Sequence, residues 1–249
     1  MFNRMIIRAC AVAAAGLVLL SGTAHAYPVK GAAELTHNEI YKKGKLPKTT
    51  CKLVKGTTRA STTKYINDLV TCLSKTWKSP VPDLQPVQVG FVETKEKRTC
   101  NWRREVKGSF AEQCLSFIRV RVAADWIKDK DDSKVFAAVT DAWSGIVQVQ
   151  TGIGLAWQAL PNGGEQPEID EQLRRLQLQA DCFTAASYKS FGRTVKNWKS
   201  VFEGQDPPEF HKLKGEGKPA NRLGWSKKGY QAGGPSVCNT WKAPSSKVA

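Results

Sequence analysis

The chain has 249 residues, with 38 lysines and arginines against 22 aspartates and glutamates, a formal net charge of +16. A field of that sign attracts nucleic acid, anionic lipid or acidic polymers without choosing among them, and it also serves solubility alone. No internal repeat or low-complexity tract occurs, which excludes a repeat array or a disordered linker as the main architecture.

From the N-terminus, Arg4 and Arg8 flank the start of an apolar stretch, Ala9 to Leu20, and Ala24-His25-Ala26 offers a signal peptidase site. The stretch is shorter than the ~20 residues a membrane span needs. Residues 1–26 are therefore expected to be a secretory signal, with a retained anchor as the weaker reading. The remainder carries 36 basic against 22 acidic residues, a net +14, and is expected to be one extracellular domain with an irregular arm over residues 27–60.

Seven cysteines less Cys10, which falls in the signal, leave six for an oxidising compartment. Fifteen pairings are open to six cysteines. Their neighbourhoods favour Cys51 with Cys72, Cys100 with Cys114, and Cys182 with Cys238. No CxxC or similar close pair suggests a cysteine metal site.

After the arm, STTKYINDLVTCLSKTW places Ile66, Leu69, Val70, Leu73 and Trp77 on one helical stripe from Ser61 to Trp77, with Ser61 or Thr62 as the expected cap. SPVPDLQP stops that helix, and Val87 to Thr94 reads as a strand. A second strand is expected in FIRVRVA, where Ile118, Val120 and Val122 alternate with arginines. Val135, Phe136, Val139, Trp143, Ile146 and Val147 then recur at spacings of three and four, the pattern of a core helix. Asn162-Gly163-Gly164 breaks the chain, and a further helix is expected from Pro167 to Phe191. From Glu203 onward glycine and proline suggest a tail that is mostly loop, so residues 61–249 form the main domain with a loop-rich C-terminal tail. The fold class is α+β, a small sheet packed with central helices and stabilised by disulfides.

Several stretches carry a resemblance: NEIYKKGKLPKTTC in the arm, QLQADCF at Gln177 to Phe183, EGKPANRLGWSKKGY at Glu216 to Tyr230, and CNTW at Cys238 to Trp241. Together they resemble the secreted neutral zinc metallopeptidases of bacteria, actinobacterial members included. The resemblance implies a zincin-like scaffold with an HExxH helix, an ELQADC helix and a tail beginning HGT. Aligned on these motifs, Asp141 and Gly145 stand at the two histidines, Ala142 at the glutamate, Gln177 at the third ligand and Glu216 at the tail histidine.

HExxH works because two histidines one turn apart present neutral nitrogens to Zn²⁺ while the glutamate takes a proton from the metal-bound water. Here every one of those positions is changed. Beyond the signal, His37 and His211 are the only histidines, and neither lies in these motifs. No metal or other cofactor is expected. Asp141, Gln177, Asp181 and Glu216 could converge on a hard cation, although such an ion usually takes six or more oxygens. The plainer reading of Asp181 is a hydrogen-bonded residue that orients its neighbours. Asp141 is expected in a solvated cleft or paired with Arg174, Arg175 or Arg222. A serine triad would need His37 or His211, both expected in loops, and no GxSxG occurs.

The expectation is thus a degenerate metallopeptidase-like protein without zinc or peptidase activity. It would act by binding an unidentified peptide, protein or anionic polymer; the alternative is a hydrolase of that family with an altered site. Nucleic acid is not expected as a partner, because no recognised motif supports it and tryptophans such as Trp225 and Trp241 fall in family-matching core positions.

Overall fold

The computed structural model describes residues 32–93, 107–160, 166–205 and 217–249. Its helices are α1 (Ala33–Thr36), α2 (Arg59–Trp77), α3 (Ala124–Lys128), α4 (Ser133–Gln150), α5 (Ile153–Gln158), α6 (Gln166–Ser190), α7 (Trp198–Gln205) and α8 (Pro219–Ala232). Three strands, β1 (Val89–Val92), β2 (Phe110–Cys114) and β3 (Phe117–Arg121), form one sheet in the order β1-β3-β2. The chain is α+β and mostly helical.

Helix α2 starts earlier than its apolar stripe suggests. Thr58 is the cap and accepts from the Ser61 amide at 3.1 Å, while Ser61 Oγ accepts in return from the Thr58 amide at 3.0 Å. Ser61 is therefore the reciprocal partner in a capping box, and the expectation that it or Thr62 would be the cap is corrected. The buried face carries Ile66, Leu69, Leu73 and Trp77, and Trp77 packs edge-on against Phe183 of α6 at 5.3 Å. The Trp77 indole N–H donates to Ser187 Oγ at 2.9 Å, so a large apolar group is buried without stranding its polar atom.

The two strands read from the sequence, β1 and β3, pair in parallel with Val89 opposite Ile118. Strand β2 was not expected. FAEQC lacks a clean alternation, yet it pairs antiparallel to β3 through a two-residue turn at Leu115-Ser116, where Leu115 has φ 53°. Ile118 and Val120 are buried on the face of β3 turned toward α4.

Helix α4 is the centre of the molecule. Val135 to Thr140, Ala142 to Ser144 and Ile146 to Gln148 are all buried, because β2 and β3, α2, α6 and α7 pack around it. At its start Asp132 accepts from Tyr65 Oη at 2.6 Å and from Arg193 Nη1 at 2.9 Å, and the Arg193 guanidinium lies 3.7 Å from the centroid of Phe136. Burial raises the Asp132 carboxyl, but the hydrogen bonds and charge of Arg193, with the Tyr65 hydroxyl, outweigh it and hold the group below its ordinary value.

The tail is less loop-like than glycine and proline suggested. Pro219 occupies the first turn of α8, where its missing N–H costs nothing, and Arg222, Trp225, Ser226 and Gly229 form the stripe that packs on α6. Gly229 is there for proximity: a Cβ would lie 2.1 Å from the Cys182 carbonyl oxygen, so only glycine lets the two helices approach so closely.

Disulfides join Cys51 to Cys72 and Cys182 to Cys238, two of the expected pairs. With separations of 21 and 56 residues, they stabilise by about 3 and 4 kcal/mol on the chain-entropy model. The first staples the arm to α2 and the second staples the tail to α6. The third expected pair lies outside the described residues because it includes Cys100. No helix among the described residues is long and apolar enough to cross a membrane.

Candidate functional site

The site positions read from the sequence fall on α4 and α6, which pack side by side. The face of α4 turned toward α6 carries Thr140, Ser144 and Gln148, one helical turn apart. Ser144 and Thr184 share a hydroxyl–hydroxyl hydrogen bond of 2.9 Å, and Gln148 Nε2 donates to Gln179 Oε1 at 2.9 Å. Gln179 in turn donates to Tyr41 Oη at 2.7 Å and to the Cys238 carbonyl at 3.2 Å. Burial raises the Tyr41 phenol above its ordinary value, so it stays neutral, accepting from Gln179 and donating to the Leu35 carbonyl at 2.9 Å. This buried seam ties the arm, α4, α6 and the tail disulfide into one polar network.

Asp141 and Gly145 sit one step round α4 from that seam and look elsewhere. A Cβ on Gly145 would lie 3.0 Å from Cβ of Gln113, so the edge strand β2 rests on the helix at this point. Ala142 is buried in the apolar core. Asp141 is half-buried and accepts from Gln205 Nε2 of α7 at 3.3 Å.

Gln205 also accepts from Arg222 Nη2 of α8 at 3.0 Å. Arg222 then grips Asp181 of α6, with Nε on Oδ2 at 2.9 Å and Nη2 on Oδ1 at 3.2 Å. The two side chains are 5% and 0% exposed, and the guanidinium lies 4.4 Å from the centroid of Phe202. A chain of hydrogen bonds therefore runs Asp181–Arg222–Gln205–Asp141 and joins four helices.

Of the three arginines considered for Asp141, Arg222 is linked to it through Gln205. Arg175 pairs with Glu171 at 2.6 Å and donates to the Thr240 and Ala243 carbonyls, and Arg174 donates to the Val248 carbonyl at 3.0 Å. Gln177 does not join the chain: its Nε2 is buried and has no hydrogen-bond partner among the described residues. Glu216 lies outside the described residues.

The arrangement fixes charge rather than delivering it. A guanidinium is neither an acid nor a base at any working pH, and Arg222 binds the Asp181 carboxyl group through two charge-assisted hydrogen bonds. Among the described residues no group of three or more His, Cys, Asp or Glu side chains is placed to hold a metal ion. Beside Gln205 lies a cavity of about 180 Å³, lined by Phe110, Asp125, Lys134, Ala138 and Glu203. Asp125 there is already engaged, accepting from Ser109 Oγ at 2.6 Å.

Gln205 was missed by sequence reasoning. It follows Glu203, in the stretch taken as loop, and only the helical packing of α7 on α4 makes it a bridge. In comparison with known proteins, the chain matches no family model, no curated protein and no solved structure.

Proposed function

We propose that the protein is a secreted, disulfide-stabilised binding protein on a zincin-like metallopeptidase scaffold, which engages a peptide, protein or anionic partner and does not hydrolyse peptide bonds. The observation that carries this reading is the Asp181–Arg222 pair. A carboxylate inside the QADCF motif that could help hold or orient a metal ligand is instead clamped by a permanent cation. A divalent ion placed there would be repelled by the guanidinium at close range in a desolvated setting.

Gly145 supports the same reading. A side chain at that position would crowd the Gln113 side chain of β2, whose Cβ an added Cβ would meet at 3.0 Å, so a histidine there needs Gln113 to shift. Ala142 supplies no general base, and the loss of such a group alone lowers a rate on the order of 10²- to 10⁴-fold. On this reading Asp141 and Asp181 are taken up by internal hydrogen bonds, and Ala142 and Gly145 carry no group that could bind a metal or move a proton. Metal content and peptide hydrolysis, measured on the purified mature protein, test this; chelator-sensitive hydrolysis with one zinc per chain would favour a working hydrolase with an altered site.

A further inference from the structure

A cavity of about 460 Å³ lies where the arm crosses the ends of α6 and α8, and its lining includes Lys45, Lys48, Lys189, Thr194, Tyr230 and Gln231. Among the described residues no carboxylate lines it. All three lysines are exposed, and none forms an ion pair with a carboxylate among the described residues.

The groove is built from backbone. Leu46 N donates to the Gly233 carbonyl at 2.7 Å, and Thr49 N donates to the Ser190 carbonyl at 3.0 Å, so the arm lies across both helix ends. Gly233, at φ 66°, ends α8 in the left-handed conformation, and a Cβ there would meet Lys189 Cγ at 3.3 Å. A lysine at a helix C-terminus often serves as a cap for its free carbonyls. At the end of α6 that role is filled by backbone, since Phe191 N takes the Ser187 carbonyl, Arg193 N that of Tyr188 and Gly192 N that of Lys189, while on α8 Gly233 N takes the Gly229 carbonyl. Three exposed ammonium groups therefore share one groove that no carboxylate among the described residues lines.

We propose that this groove binds an anionic, hydroxyl-rich polymer, a glycan carrying carboxylate or phosphate groups. The proposal rests on the reading of the protein as a binder and names its partner class. Ammonium groups are point charges that accept either anion without a fixed fork geometry. Thr194 and Gln231 add a hydroxyl and an amide suited to sugar hydroxyls. A nucleic acid fits less well, because single strands need an open aromatic platform. The ring of Tyr230 has Lys189 Nζ 5.2 Å from its centroid and packs edge-on against Trp198. An acidic peptide adding as a strand would need free backbone donors, and the Leu46 and Thr49 amides are already used.

The test is titration of the full mature chain with polygalacturonate, with polyglycerol phosphate, with neutral dextran and with a single-stranded oligonucleotide. At least one of the two anionic polymers is expected to bind, the tighter identifying the charged group, while dextran does not. K45Q/K48Q/K189Q should weaken that binding about tenfold. K75Q/K78Q/K242Q, which removes the same charge from other exposed lysines, should weaken it by about twofold or less through the general field. Thermal unfolding of both triple variants establishes that they are folded. Equal loss from both triples, no binding to either polymer, or tighter binding to the oligonucleotide overturns the proposal. Metal-dependent peptide hydrolysis by a chain whose groove still selects the polymer would instead overturn the functional reading and leave the groove standing.

Discussion

Arg222 holds Asp181 through two guanidinium nitrogens, at 2.9 and 3.2 Å, inside the contact between α8 and α6. Removing one partner strands the other charge in a buried place, which costs about 3–5 kcal/mol, whereas replacing both with apolar groups of similar size is often close to neutral. Asp181→Ala and Arg222→Met should each lower stability by that amount, and D181L/R222M should lose much less than the sum of the two. Urea unfolding of the three variants decides it. Simple additivity would mean that the two residues stabilise the fold through separate contacts.

The contact between Gln113 and Gly145 makes a second expectation. Because an added Cβ would meet Gln113 Cβ at 3.0 Å, Gly145→Ala should cost about 1–3 kcal/mol as an overpacked position, despite alanine's better helix propensity. Shortening the neighbour in Q113A/G145A should recover most of that loss. If Gly145→Ala proves stabilising on its own, β2 does not rest on α4 at this residue.

Acid should act on the start of α4. Asp132 has its carboxyl held below the ordinary 3.8, so its contribution is present above that value and is lost as pH falls through the lower folded-state value. Asp132→Asn should cost about 1–3 kcal/mol at neutral pH, as for hydrogen bonds to a charged group. The variant should also lose less stability than the wild type between pH 4 and pH 2. Parallel acid denaturation curves for the two proteins would show that the Arg193 pair is not a source of acid sensitivity.

Much of this fold was legible because apolar periodicity is a direct record of burial. The stripe from Ile66 to Trp77 gave a helix whose buried face is the one the spacing marked, and the one from Val135 to Val147 gave a helix buried nearly all round. Two cysteine neighbourhoods likewise gave their disulfides. What escaped depended on contacts distant in sequence. FAEQC becomes a strand because β3 offers it an edge, and PANRLGWSKKGY becomes a helix because Gly229 fits against Cys182, although the same glycines read locally as breakers. At the site, Asp141, Asp181 and Arg222 could be named from the motifs and from charge. Gln205, which joins them, carries no signal of its own until α7 is folded against α4.

The most direct test of the central claim, that this is a binding protein whose metallopeptidase-like site no longer works, is elemental analysis of the purified mature chain together with a peptide hydrolysis assay on the same sample. The account predicts no stoichiometric zinc and no hydrolysis above background, with added zinc changing neither, because Arg222 occupies Asp181 and neither Asp141 nor Gly145 supplies a nitrogen ligand. One zinc per chain, with hydrolysis abolished by a chelator and restored by zinc, would contradict it.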